Sequence, residues 1–290
     1  MIPSLPRPAL QRHGLAAFVA VFFLFLFVPL TVVAVFAFNN ADYPTPPWRG
    51  FTLDWFLSDG AGEGRTGLLH DAELLGSIGI SAWVALWVTL LSVGVGTCNA
   101  FLLERFDFPG KRALALLSMA PLVIPGVILG ISILAFASRL ANFADAVWGV
   151  ELDFLRPGLP LVILGQFCYI ATIATLTIAA RLRRFDRSLE EAALDLGASR
   201  LTVLRTITLP WLWPSMAGAA AMAFLMSFEN FNTTLMLVGS DAPLTVLMYG
   251  RMREGATPVL NAVSLLLMLA SAALALLLLA RKGAQAPSGH

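Results

Sequence analysis

The amino-acid sequence predicts an all-α fold: a polytopic membrane helix bundle with six transmembrane helices. Three observations carry that expectation. Hydrophobic residues make up 58% of the 290 and charged residues 13%, with a mean hydropathy of +0.80, which lies outside soluble globular compositions. Six uncharged runs, 15–38, 74–103, 113–138, 157–180, 206–228 and 255–280, each exceed the roughly 20 residues with which a helix crosses about 30 Å of hydrocarbon. None shows the period-2 alternation of barrel strands, and backbone polar groups in lipid must be satisfied internally, so helices remain.

The first run, 15–38, is longer than the roughly 7 to 15 apolar residues of a signal peptide, and no small-residue cleavage site follows it, so it is expected to stay in the mature chain. The loop 39–73 opens Pro-rich, offers Thr52 as a cap for a short turn over "LDWFL", and carries Trp48, Trp55 and Phe56, residue types suited to a membrane interface. In the second and third runs Gly76, Gly79, Gly94, Gly96, Gly126 and Gly130 are candidates for close helix approach. Pro121 and Pro125 are candidate kinks in the third. Cys98 and Cys168 fall inside runs with no metal-ligand spacing and are expected to be buried free thiols.

Charge sets the orientation. Segments 1–14, 104–112, 181–205 and 281–290 hold 13 Lys and Arg, against six in the three alternate segments. The first set is therefore expected to be cytoplasmic, with both termini inside. The chain then divides into a cytoplasmic N-terminal segment 1–14, a six-helix domain 15–280 containing a cytoplasmic loop 181–210, and a cytoplasmic tail 281–290.

That loop is the largest of the cytoplasmic segments. Ser188 with Glu191 three residues on reads as a capping box, and Leu189, Ala192, Ala193 and Leu196 follow at i, i+3, i+4 and i+7, a single apolar stripe. Gly197 suits a left-handed C-terminal cap, and Ser199 can cap a second helix ending at Pro210. The two alanines bury too little area to favour lying on lipid, and they suit close docking in a protein groove.

The run "EAALDLGASRLTVLRTITLP" places Glu191, Ala192, Ala193, Gly197, Ile207, Leu209 and Pro210 at the fixed spacing of the coupling-loop motif. In this it resembles the transmembrane subunits of type I binding-protein-dependent ABC importers. "GFTLDWF", "ERFDFPGKR", "APLVIPGVILGISIL" and "YGRMREGATPVLNAVS" resemble the spermidine/putrescine-type branch, in particular its second permease subunit. The resemblance implies a permease fold with a cytoplasmic coupling helix that sits in a cleft of a separate ATPase, with Leu189, Glu191, Ala192, Ala193, Leu196, Gly197 and Arg200 as the coupling residues. It also implies an ATP-binding subunit in two copies, a second related permease and an extracytoplasmic solute-binding protein, in a bacterial-type inner membrane. ATP and Mg would be bound by the partner ATPase, with no cofactor on this chain.

Indeed no Gly-x-x-x-x-Gly-Lys-Ser/Thr phosphate loop occurs. No catalytic or metal set is expected either: His13, His70 and His290 lie in terminal or loop segments, apart from any nucleophile. Nothing points to nucleic acid. The candidate solute path is "SFENFNTT": Glu229 is the one acid in an apolar stretch if the fifth span runs over about 212–238, with Asn230, Asn232, Thr233 and Thr234 beside it. An ionisable group there should face the bundle interior or a water-filled path, where it suits a cationic amine; a carboxylate bonded within the core is the alternative. The same importer class carrying another organic ion is a second reading. An intramembrane enzyme would need facing catalytic groups within spans, and an ion-coupled transporter would need inverted repeats and several buried ionisable residues.

Overall fold

The computed structural model describes residues 9–44, 46–61, 65–255 and 257–283. The outermost parts of both predicted terminal segments, His290 among them, lie outside the described residues. In chain order the α-helices are α1 (Ala9–Phe36), α2 (Asp54–Leu57), α3 (Ala72–Arg105), α4 (Lys111–Val123), α5 (Gly126–Trp148), α6 (Leu159–Leu182), α7 (Ser188–Asp195), α8 (Arg200–Val203), α9 (Leu209–Phe228), α10 (Asn232–Leu237), α11 (Leu244–Gly255) and α12 (Val259–Gly283). A π-helical turn, Leu204–Thr208, joins α8 to α9. Among the described residues there is no β-sheet, only two isolated bridges, Asn39 with Phe51 and Asp59 with Thr66.

Five helical stretches are long and apolar enough to cross a membrane among the described residues: His13–Phe36, Ala72–Arg105, Gly126–Trp148, Leu159–Leu182 and Arg200–Phe228. The run expected at 255–280 lies on α12. The third span departs from expectation. Pro125 has no N–H to continue a helix, and the residue before a proline is pushed out of the α region, so Ile124 is extended at φ −82° and ψ 126° and divides the run into α4 and α5. The span is therefore Gly126–Trp148, running past Arg139 to end at Gly149, whose φ of +63° suits a left-handed cap.

The second helix of the 181–210 loop likewise does not stop at Pro210. Proline in the second position of α9 would clash with the carbonyl four residues earlier, and the preceding turn widens to π geometry, with the Leu209 N–H bonding the Leu204 carbonyl. Helix thus continues from Arg200 to Phe228.

The chain forms two compact units, residues 1–72 with 251–290, and residues 73–250. In the larger unit α6 is the central element, packing most extensively on α9 and also on α4, α5 and α10. One apolar cluster joins Val84, Val88, Leu161, Ile170 and Leu237; a second joins Ala100, Ala174, Ile178, Leu182 and Leu212. Glycine permits the closest approaches. A Cβ on Gly96 would lie 2.9 Å from that of Ala174, and one on Gly130 would lie 3.0 Å from that of Met236. At Gly126 it would meet the Asn232 Cβ at 3.2 Å, whereas Gly76, Gly79 and Gly94 face open space and make no such contact. The tightest position, Gly165 on α6, has the Leu237 side chain where a Cβ would stand. Cys98 and Cys168 are free but exposed rather than buried, because both lie on outward faces of α3 and α6.

In the smaller unit α1 packs on α12, and α12 also meets α2. Trp55 is buried instead of lying at an interface: its indole N–H donates to the Asn39 carbonyl at 2.8 Å, and the Arg65 guanidinium lies 5.2 Å from its ring centre. Arg65 also reaches Asn40 and Asp42, at 2.6 and 2.7 Å. The hydrogen-bonding end of tryptophan found a loop carbonyl, which lets the whole ring leave water. Thr52 accepts the Asp54 N–H at 3.1 Å, but the N-cap of α2 is Leu53, one residue later than expected. Arg251 closes the unit with a two-pronged bond to Asp71 at 2.5 and 3.0 Å.

Candidate functional site

The short helix α7 stands out from the bundle with none of its residues buried. Its apolar stripe is open: Leu189 is 51% exposed and Leu196, at the C-cap, 90%, with Ala192 exposed and Ala193 half-buried; Leu194, off that stripe, is also exposed. Glu191, Gly197 and Arg200 are also exposed. Gly197 turns the chain at φ +86°, and the Ala198 N–H reaches back to the Ala193 carbonyl at 3.0 Å, a six-to-one closure that terminates the helix. Ser199 accepts the Thr202 N–H at 3.2 Å and so caps α8.

The start of α7 is built differently from the predicted capping box. Ser188 is already helical and Arg187 precedes it in α geometry. The Asp186 carboxylate accepts the Ser188 N–H at 3.0 Å, because a side chain two residues upstream reaches that amide first. The Ser188 backbone N–H, and then its side chain, hold the Asp186 carboxyl below the usual aspartate range.

Beneath α7 lies a charged and aromatic base that sequence reasoning missed. Glu190 Oε1 accepts from Arg105 Nη2 at 3.1 Å and from Thr208 Oγ1 at 2.5 Å. The Arg105 guanidinium lies 5.3 Å from the centre of the Phe185 ring, which packs edge-on against Trp211. Arg181 lies over Trp211 at 4.4 Å and donates to its carbonyl at 2.7 Å. Arg183 pairs with Glu104 at 2.7 Å, which raises the guanidinium's pKa, and Arg187 donates to the Glu104 carbonyl at 2.9 Å. The ends of α3 and α6, the loop before α7 and the start of α9 are thereby tied together. The signal available in the sequence was Glu190 itself, an acid on the flank of the apolar stripe, in a segment rich in arginine.

The second candidate region lies where α9 ends and α10 begins. Glu229 is the residue after α9, exposed, with φ −86° and ψ 0°, so it stands at a helix terminus and not inside a continuous span over 212–238. Asn232 is exposed and Asn230 half-buried. Thr233 is buried, 1% exposed, with its hydroxyl directed at the Gly126 carbonyl at 3.3 Å. Asn230 closes the break: its amide donates to the Tyr169 hydroxyl at 2.6 Å, and its oxygen accepts the Thr234 N–H at 3.1 Å and hydroxyl at 2.9 Å. The Thr245 hydroxyl takes the Asn230 carbonyl at 2.9 Å. Gln166 extends this chain inward, donating to Thr234 at 2.8 Å and accepting from Ser227 at 2.5 Å. Gln166 was legible as a lone amide in an apolar run, which in lipid must find a partner.

Five helices long and apolar enough to cross a membrane, among the described residues, define the class as a multi-pass membrane protein. The chain belongs to the family of binding-protein-dependent transport system inner membrane components, whose profile matches residues 92–287. It is 33% identical to the putrescine transport system permease protein PotI of Escherichia coli (strain K12), over 85% of this chain and 82% of that protein. It is 28% identical to the spermidine/putrescine transport system permease protein PotC of Haemophilus influenzae, over 90% of this chain and 93% of that protein. Its fold matches a chain in the crystal structure of a bacterial ABC transporter that imports the acidic polysaccharide alginate, with a TM-score of 0.68 and 19% identity, covering 93% of this chain and 92% of that one. A chain in the crystal structure of a bacterial alginate ABC transporter in complex with an alginate pentasaccharide-bound periplasmic protein gives a TM-score of 0.70 at 17% identity, covering 93% of this chain and 91% of that one.

Proposed function

We propose that this chain is one permease half of an ATP-driven importer for a small organic cation of the polyamine kind. The observation that carries the coupling half of this reading is α7, whose apolar stripe leaves Leu189 and the C-cap Leu196 exposed on either side of Ala192, on a hydrogen-bonded base. An apolar helix face of that size held in water favours a protein groove that covers it. The groove belongs to a separate ATPase, in two copies, which binds ATP and Mg. Leu189, Glu191, Ala192, Ala193, Leu196, Gly197 and Arg200 form the contact set. A second, related permease completes the solute path, and an external solute-binding protein delivers the cargo.

The polyamine assignment is supported by the names of two permeases that are similar over most of the chain. The fold is silent on cargo, since a chain of the same architecture serves an acidic polysaccharide. Glu229 and Asn232, exposed at the helix break, are suited to line a water-filled path, with Asn230 and Thr233 securing the break behind them. A carboxylate at such a position favours a cation by direct charge attraction. Mass spectrometry of the ligand carried by the cognate binding protein, followed by uptake of that solute into vesicles holding the reconstituted complex, tests the reading. A polyamine on the binding protein and ATP-dependent uptake are expected. A neutral or anionic ligand would refute the cation assignment and leave the importer class standing.

A further inference from the structure

Attachment of α7 to the rest of the molecule poses a mechanical difficulty. None of its residues is buried, and at its C-terminal side the chain leaves through Gly197 and the capped turn at Ser199. A displacement applied to the exposed leucines could be absorbed by rotation at that turn, because the glycine there has the widest backbone freedom. One side chain bypasses the turn. Glu190 leaves the flank of α7 and reaches two elements with a single oxygen, bonding Arg105 at the end of α3 and Thr208 at the end of the π-helical turn.

We propose that Glu190 is a positioning residue that joins α7 to the π-helical turn Leu204–Thr208, so that movement of α7 is delivered into α3 and α9 and not lost at Gly197. The inference rests on the coupling role proposed for α7 and assigns the residue through which that role acts. Its first support is burial. The Glu190 side chain is 23% exposed, that of Arg105 13%, and Thr208 1%, so this is a sheltered junction where charge-assisted bonds are stronger than in water. Its second support is the backing of the guanidinium, which lies over Phe185 while that ring packs on Trp211 of α9. Arg105 is thus gripped from two sides, and its bond to Glu190 has little slack.

The third support is the place at which Thr208 sits. A π turn closes a wider ring than an α turn and recurs as a single-turn irregularity at functional positions. Here it lies immediately before Pro210, where the helix lacks one of its own backbone donors. The ladder of α9 is therefore weakest at the residue that Glu190 holds. A tug on the Thr208 hydroxyl acts where the helix yields most readily, and the length of α9 beyond it ends at Glu229 and the helix break. A glutamate that merely solvated the helix surface would show neither the burial nor bonds to two elements distant in sequence.

The test uses the complete reconstituted complex and three readouts: retention of the ATPase subunit on purification, ATP hydrolysis, and solute moved per ATP hydrolysed. Glu190→Gln keeps the shape and removes the charge held by Arg105. Thr208→Val keeps the shape and removes the hydroxyl. ATPase retention is expected to be unchanged in both, since the exposed leucines are untouched. Solute moved per ATP should fall at least about fivefold in Glu190→Gln, the low end of a site-to-site coupling, and in the same direction in Thr208→Val. Pairing Glu190→Arg with Arg105→Glu should restore more of the ratio than Glu190→Arg retains alone. An unchanged ratio in Glu190→Gln and Thr208→Val overturns the assignment; should Glu190→Gln not assemble, Thr208→Val decides. Failure of the unaltered chain to retain an ATPase would instead refute the coupling role of α7 itself.

Discussion

At the scale of single residues, charge and backbone geometry act where apolar bulk cannot. Gly197 has φ +86°, a region in which a Cβ costs about 1–2 kcal/mol, and it has open space around it. Gly197→Val is therefore expected to strain the turn without colliding with neighbours: the protein should still reach the membrane, while ATP-driven uptake falls several-fold. Normal uptake and normal ATPase stimulation would contradict the role given to this turn. Glu229 supplies the complementary test. Its exposure at the end of α9 means that Glu229→Gln removes a charge without opening a cavity, so assembly should persist while uptake at limiting solute drops. Equal uptake rates would exclude an electrostatic contribution. Both positions could be singled out from the sequence, one as a glycine closing an amphipathic stripe and one as an acid in an apolar stretch. Glu190 was marked only by its charge in an arginine-rich segment, because its importance comes from Arg105 and Thr208, 85 and 18 residues away.

At the scale of elements, prolines and glycines decide where helices stop and how closely they approach. Counting uncharged residues located five of the apolar runs on single helices but misplaced the third, because Pro125 interrupts the hydrophobic run while Arg139 and Asp145 lie within the helix that follows. Pro210 misled in the opposite sense: a proline expected to end a helix is accommodated by a π turn and the helix carries on. The contact between α6 and α10 makes a quantitative test. A Cβ on Gly165 would collide with Leu237 Cδ1, so Gly165→Ala must push α10 away or rotate the leucine. Overpacking of this kind costs about 1–3 kcal/mol. A lowered thermal midpoint in detergent is the expected result, whereas Gly76→Ala, with nothing near it, should leave the midpoint within error.

At the scale of the whole molecule, the distribution of charge sets the expected topology. The segments holding 13 of the Lys and Arg are placed inside, including the loop that carries α7. Cysteine introduced at Ser58, immediately after α2 ends, should react with an impermeant thiol reagent in intact cells, and cysteine at Ser188 only after the membrane is breached. Since Cys98 and Cys168 are exposed along α3 and α6, the experiment needs both replaced by serine first. Labelling at Ser188 but not Ser58 in intact cells would reverse the orientation, and with it the side on which an ATPase could dock.

The sequence by itself determined the membrane class, most of the spans, the existence of the short helix and the glycine turn that ends it. Each follows from local facts: hydrophobic length against bilayer thickness, a 3.6-residue period, and the conformations a glycine permits. Only the tertiary structure decided which glycines are close contacts, that Trp55 is buried on a loop carbonyl, that Asp186 caps α7, and that Glu190 ties it to α3 and α9. These depend on which groups meet after the chain has folded. A hydrogen bond or a missing Cβ acts over about 3–4 Å in space, and no periodicity along the chain records the residue that will stand at that distance.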